Sequence, residues 1–187
     1  TARPDTGNFS EATTWAVDNW GEYLVACSSS DGKIYEWQLD TAVKAAVVAN
    51  APTSNLSMMV TAERFLFALG AGGNPRLVQW SDREDNALWA AAATNEAGDI
   101  ELQTAGQIMC GLSVRGQSLI LTDQDAHSAT YQGPPFVYNF ERVGQSCGII
   151  SRKAAISVDA GAFWMGQESF FSRAAVRRSR LHVRRFE

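Results

Sequence analysis

Arg64-Phe65-Leu66-Phe67-Ala68-Leu69, a glycine-rich turn, then Arg76-Leu77-Val78-Gln79-Trp80 is the stretch on which the fold is decided. An earlier stretch repeats its pattern: Glu22-Tyr23-Leu24-Val25-Ala26-Cys27, a turn containing Gly32, then Lys33-Ile34-Tyr35-Glu36-Trp37. The leading aromatic and the closing tryptophan stand 14 residues apart in the earlier copy and 15 in the later one. Weaker echoes run from Gln117 to Tyr131 and from Gly161 to Phe171. Taking Tyr23, Phe65, Ser118 and Ala162 as the lead positions, the copies are separated by 42, 53 and 44 residues. Four-stranded propeller blades succeed one another at this period. The expected fold is therefore all-β, built of antiparallel meander blades of a β-propeller, about four of them or a fragment of a larger propeller.

The local text agrees. Short apolar or alternating runs at residues 23–27, 33–37, 57–60, 65–69, 76–80, 108–114, 118–122, 128–131, 155–158 and 162–165 read as strands. Turn signals such as Asp31-Gly32, Gly72-Gly73-Asn74-Pro75 and Arg115-Gly116 separate them. Such short connections favour antiparallel meanders, because parallel crossovers need a dozen or more residues. Residues 42–51 read as a short helix or one more strand. Residues 82–104 and 133–145 read as long loops, the second beginning Gly133-Pro134-Pro135-Phe136.

Composition narrows the function classes. Of 187 residues, 45% are hydrophobic and 19% charged, and no run approaches the roughly 20 apolar residues of a membrane helix. The start, Thr1-Ala2-Arg3-Pro4-Asp5, carries no signal-peptide pattern. The formal net charge of -4 conceals two parts. Residues 1–172 hold 10 basic and 19 acidic residues, whereas the last 15 hold six arginines against Glu187. We therefore expect a propeller-like body over 1–172 and an Arg-rich tail over 173–187. The tail reads as a basic amphipathic segment, as a disordered end, or as non-native text of the kind a frameshift yields in GC-rich coding DNA. A body this acidic repels phosphate and does not read as a sequence-specific DNA binder.

Chemistry is sparse. Cys27, Cys110 and Cys147 have no CxxC or Cys/His spacing, so they read as reduced, buried thiols and no zinc or other metal is expected. Asp82-Arg83-Glu84-Asp85 groups carboxylates as an acid–base pair or a hard-cation site would, but equally as turn caps and surface pairs do. Asp123-Gln124-Asp125-Ala126-His127 offers two carboxylates and an imidazole, yet lacks the ligands and glycine of a calcium loop and reads better as a polar turn. No Gly-x-Ser-x-Gly, Walker or GxGxxG pattern is present. The chain reads as non-enzymatic and without a cofactor. Trp37 and Trp80, equivalent in the repeat, read as packing residues, and Trp89 as a surface contact.

A resemblance adds to this. The segments Trp80-Ser81-Asp82-Arg83-Glu84-Asp85 and Gly133-Pro134-Pro135-Phe136-Val137-Tyr138, with residues 93–102, Cys147-Gly148-Ile149-Ile150 and Phe163-Trp164-Met165-Gly166, resemble tailed-bacteriophage virion proteins. The family is the propeller-bearing tail nozzle, tail tubular or packaged-DNA stabilisation type. The resemblance covers about residues 15–171, and residues 173–187 match nothing in it. It implies a structural virion protein, assembled in the host cytoplasm into a homo-oligomeric ring below portal and adaptor, beside other tail proteins such as fibres. Double-stranded DNA would be retained by the ring and pass through it without sequence-specific binding. Asp82, Arg83, Glu84, Asp85, Trp89, Pro134, Pro135 and Phe136 are the candidate interface residues. The alternative is a receptor- or glycan-binding tail module using exposed tryptophans.

Overall fold

The computed structural model describes residues 13–174 and the backbone of 183–186. It is all-β, with no α-helix among the described residues. Among the described residues, sixteen strands form four antiparallel sheets of four, each a simple meander in chain order. The first sheet is β1 (Trp15–Trp20), β2 (Tyr23–Ser28), β3 (Ile34–Trp37) and β4 (Ala46–Val47). The second is β5 (Ser57–Val60), β6 (Leu66–Leu69), β7 (Leu77–Trp80) and β8 (Gly98–Glu101). The third is β9 (Ile108–Val114), β10 (Gln117–Thr122), β11 (Ala126–Gly133) and β12 (Val137–Gly144). The fourth is β13 (Ala155–Val158), β14 (Gly161–Met165), β15 (Phe170–Ala174) and β16 (Val183–Phe186). The repeated phrase is the second and third strand of each sheet.

Strand alternation explains how the sheets stack, since successive side chains point to opposite faces. In β5 and β6, Met58, Val60, Leu66 and Ala68 join Trp20, Val25, Cys27 and Ile34 in a core between the first two sheets. Their neighbours Met59, Phe67 and Leu69 point the other way, into a core with Ile108, Ile120, Ala129 and Tyr138 of the third sheet. The third sheet repeats the arrangement: Ile120 faces back, whereas Leu119 and Leu121 join Ala162 and Trp164 of the fourth. Each junction thus sets the leading face of one sheet on the trailing face of the next. The middle sheets are buried on both faces, and the outer two on one.

The meander leaves two rims. One carries each turn between second and third strands together with the connections from sheet to sheet. These connections are stitched to the turns by backbone hydrogen bonds: Asn55 N donates to Gly32 O (3.0 Å), Gly72 N to Thr53 O (3.0 Å), Ile108 N to Pro75 O (2.8 Å) and Cys147 N to Gln124 O (3.1 Å). At Gly148 the approach is so close that a Cβ would lie 2.0 Å from Asp123 O.

Four expectations change. Residues 133–145 are not a loop: only Pro134-Pro135-Phe136 form the turn, and the ladder resumes at Val137, which pairs with Gly133. The segment 82–104, read as a loop, ends in a strand, β8; the strand alternative for residues 42–51 holds, as the short strand β4. The boundary expected after residue 172 falls inside β15, and β16 supplies the fourth strand of the last sheet. Residues 175–182 and Glu187 lie outside the described residues. Finally, Ser118 pairs with Ala129 and Ala162 packs towards the third sheet, so both face back, whereas Tyr23 and Phe65 face forward. The residues that match the latter two are Gln117 and Gly161, one position earlier.

Candidate functional site

The runs 82–85 and 134–136 lie on the far rim, after the third strands of the second and third sheets. Asp82 and Asp85 form an isolated antiparallel bridge that folds the acidic run into a tight loop. Asp82 Oδ1 accepts from Arg83 N (2.9 Å) and from Glu96 N (2.8 Å), and Asp85 Oδ1 accepts from Ala87 N (2.9 Å). Glu84 pairs with Arg64 at 2.8 Å, and the Arg64 guanidinium lies 5.2 Å from the Trp20 ring centre. These carboxylates cap backbone amides and hold an arginine. The acidic run is a braced loop rather than two carboxylates aimed at one point.

The loop is bound on both sides. Asn50 Nδ2 donates to Ala87 O (3.0 Å) and Asn86 Nδ2 to Glu36 Oε2, which ties it to the first sheet and the connection after it. Towards the third sheet, Arg83 lies 5.9 Å from the Tyr131 ring centre. The Tyr131 hydroxyl donates to Glu96 Oε2 (2.8 Å), a bond that raises the phenol above its ordinary pKa. Trp80 Nε1 donates to Glu96 O (2.8 Å).

Tyr138 is the hub beneath. Its ring centre lies 4.9 Å from Phe67, 5.2 Å from Phe65, 5.6 Å from Tyr131 and 5.8 Å from Trp80. Its hydroxyl shares a hydrogen bond with Thr61 Oγ1 (2.9 Å) and donates to Glu63 Oε2 (3.2 Å); burial holds the phenol well above its usual range. The hairpin tip Pro134-Pro135-Phe136 continues outward from this cluster, with Phe136 78% exposed. Arg83, Glu84, Asp85, Pro134, Pro135 and Phe136 are thus exposed residues of two loops braced by one aromatic cluster, and Asp82 is half-buried among them.

Trp89 does not belong with them. It is 3% exposed, donates from Nε1 to Asn86 O (2.7 Å) and packs in the core between the first two sheets. The loop that reads as an acidic insertion folds back and drives Trp89 inward, as burial favours, while its neighbour Leu88 stays exposed. Trp37 and Trp80 are not equivalent either. Trp80 pairs with Phe67 and faces the third sheet, whereas Trp37 pairs with Leu24 on the opposite face of its own sheet. Sequence spacing alone missed this because a shift of one residue reverses the face of a strand side chain.

Asp125 and His127 lie on the other rim, both buried. Asp125 Oδ1 accepts from Thr122 Oγ1 (2.6 Å) and Thr104 Oγ1 (2.9 Å), and His127 Nε2 lies 3.0 Å away. Asp123 Oδ1 accepts from Gln107 N (2.9 Å). The network locks the β10–β11 turn onto the connection from the second sheet, as the polar-turn reading expects. Beside it, Asp123, Gln124, Gly148, Gln167 and Glu168 line a cleft of about 260 Å³ between the third and fourth sheets. Cys27, Cys110 and Cys147 are free and buried. Glu96, Tyr131, Tyr138 and Arg64 are the residues that sequence reasoning passed over; Tyr138 was visible only as the last letter of a family-like phrase. Among known proteins, the chain matches no family model and no curated sequence.

Proposed function

We propose that this protein is a structural, non-enzymatic component of a bacteriophage tail. Its four sheets are blades of a β-propeller, and it forms a homo-oligomeric ring below portal and adaptor that retains and conducts packaged DNA. The observation that carries this reading is the meeting of the two family-like phrases on one rim. Their side chains cap backbone amides and brace one another, and together they build a rigid edge that offers an arginine, two carboxylates and an exposed Phe136. A rigid edge with one large apolar tip and both charge signs suits contact with a neighbouring subunit. The leading-to-trailing stacking of four meanders at a period of 42 to 53 residues supports the propeller. An acidic body supports passage of DNA, since like charge keeps phosphate from adhering.

Electron microscopy of the purified chain tests this. Ring-shaped particles with a central channel are expected, and the pair of substitutions Arg83→Glu and Phe136→Asp should dissolve them without unfolding the chain. Rings that survive the pair would move the subunit contact elsewhere; particles without any channel would overturn the tail reading.

A further inference from the structure

The cleft of about 260 Å³ between the third and fourth sheets has no part in the rim contact. Three pieces of chain enclose it. The β10–β11 turn brings Asp123 and Gln124, the connection to the fourth sheet brings Ser146, and the β14–β15 turn brings Gln167 and Glu168. Phe171 of β15 completes the wall; it is half-buried and stacks on Trp164, with ring centres 5.8 Å apart.

The frame is braced. Cys147 N donates to Gln124 O (3.1 Å) and Ile149 N to Thr122 O (2.9 Å), which pins the connection to the first turn. Gly166 N donates to Ser169 O (2.8 Å), which closes the second. The pieces meet without slack: a Cβ on Gly166 would lie 2.7 Å from the Phe171 ring and 2.9 Å from Gly148 O. The groups facing the cleft are, by contrast, uncommitted. Among the described residues, the side chains of Gln124, Ser146, Gln167 and Glu168 make no hydrogen bond, and all four are exposed to solvent. Asp123 uses Oδ1 alone, for Gln107 N (2.9 Å). Walls fixed before a ligand arrives lose little entropy when it binds.

The lining selects a class of ligand. It sets two carboxylates, two carboxamides and serine hydroxyls beside one aromatic ring, with no arginine, lysine, histidine or cysteine. The carboxylates repel phosphate and other anions. Soft metals find no thiolate or imidazole here, and among the described residues no three His, Cys, Asp or Glu side chains converge to hold an ion. An apolar ligand would strip water from these polar groups and replace none of its hydrogen bonds. A sugar ring meets each demand. Its hydroxyls donate to carboxylate and amide oxygens and accept from amide N–H groups, as the displaced water did, while its C–H face lies against an aromatic ring. The volume is just below the roughly 300–1,000 Å³ of sites for drug-sized ligands, which suits one ring rather than a chain of them. We propose that this cleft binds one uncharged hexose ring through Asp123, Gln124, Gln167 and Glu168. The site contains no tryptophan, and it depends neither on the rim bearing Phe136 nor on the tail reading.

Saturation-transfer NMR from the full chain tests it, with the methyl glycosides of glucose, galactose, mannose and N-acetylglucosamine as probes. At least one should bind saturably. Gln124→Ala and Glu168→Ala should each weaken that binding about tenfold, as the loss of a hydrogen bond to a polar or charged group does. Neither side chain is used internally, so both variants should keep the wild-type circular dichroism spectrum; Gln167→Ala repeats the experiment should one misfold. No saturable transfer from any of the four probes overturns the proposal. So does binding that the cleft variants leave unchanged. Binding lost instead in Trp15→Ala, whose ring is 46% exposed, would place the sugar on an open tryptophan and overturn it too. Calcium chloride titrated alone is the last arm: calcium binding that Glu168→Ala abolishes, without sugar binding beside it, would make the cleft a cation site in place of a sugar site.

Discussion

Cys27, Cys110 and Cys147 show what burial does to single residues here. Removal from water pushes Cys27 and Cys147 up to about 11 and Cys110 up to about 12, above the ordinary thiol value of 9.0. The folded chain therefore keeps these protons after the unfolded chain has released them. Stability from this source is complete below about pH 9 and is lost as pH rises towards 11–12, since the unfolded state there binds fewer protons. The urea midpoint of the wild type should fall from pH 8 to pH 10 more steeply than that of a Cys27→Ala, Cys110→Ala, Cys147→Ala triple variant. At pH 8 the native thiols should ignore an aromatic disulfide reagent and react once urea is added; immediate reaction would refute their burial. Their burial was legible in sequence because Cys27 and Cys110 stand inside apolar runs. The inward turn of Trp89 was not, because its neighbours Asn86 and Ala90–Ala93 carry no strand or helix period from which to read a face.

Between elements, the stitched connections decide whether one sheet can seat on the next. Gly148 and Gly116 separate the two demands made on glycine. Gly116 has φ +79° at a hairpin with nothing near its missing Cβ, so Gly116→Ala should cost about 1 kcal/mol for the left-handed backbone alone. A Cβ on Gly148 would strike the backbone of Asp123 and Gln124, so Gly148→Ala should cost about 3 kcal/mol, as overpacking does. Urea unfolding of both variants checks the order, and equal losses would show that the connection yields freely. The same contrast explains which strands the sequence announced. Second and third strands such as β6 and β10 are runs of buried apolar residues, and β2, β3, β7 and β11 carry enough of them to read. Fourth strands did not announce themselves. Ala46–Val47 is exposed throughout, Gly98-Asp99-Ile100-Glu101 is half polar, and β12 interleaves Asn139, Glu141 and Arg142 with its apolar positions behind two prolines. β1 hid likewise, with Asp18 and Asn19 at its centre.

Across the whole molecule, burial is unequal by position in the stack. The second and third sheets share two cores each, the first and fourth only one. Local stability follows buried apolar contact. Amide hydrogen exchange should therefore be slowest in β5, β6, β9 and β10 and faster in β1–β4 and β13–β15; uniform protection would mean that the stack opens only as one unit. At neighbour-to-neighbour scale this is the behaviour of a one-dimensional array. The route of the chain has a further consequence. Four strands bring the backbone back to the rim it started from, so each sheet begins and ends on the same side of the molecule. A whole meander can be duplicated, deleted or exchanged at these connections without rerouting what flanks it, whereas three strands or five would deliver the chain to the wrong side. Growth of such a protein by whole meanders is stepwise, each added sheet bringing its own leading and trailing face.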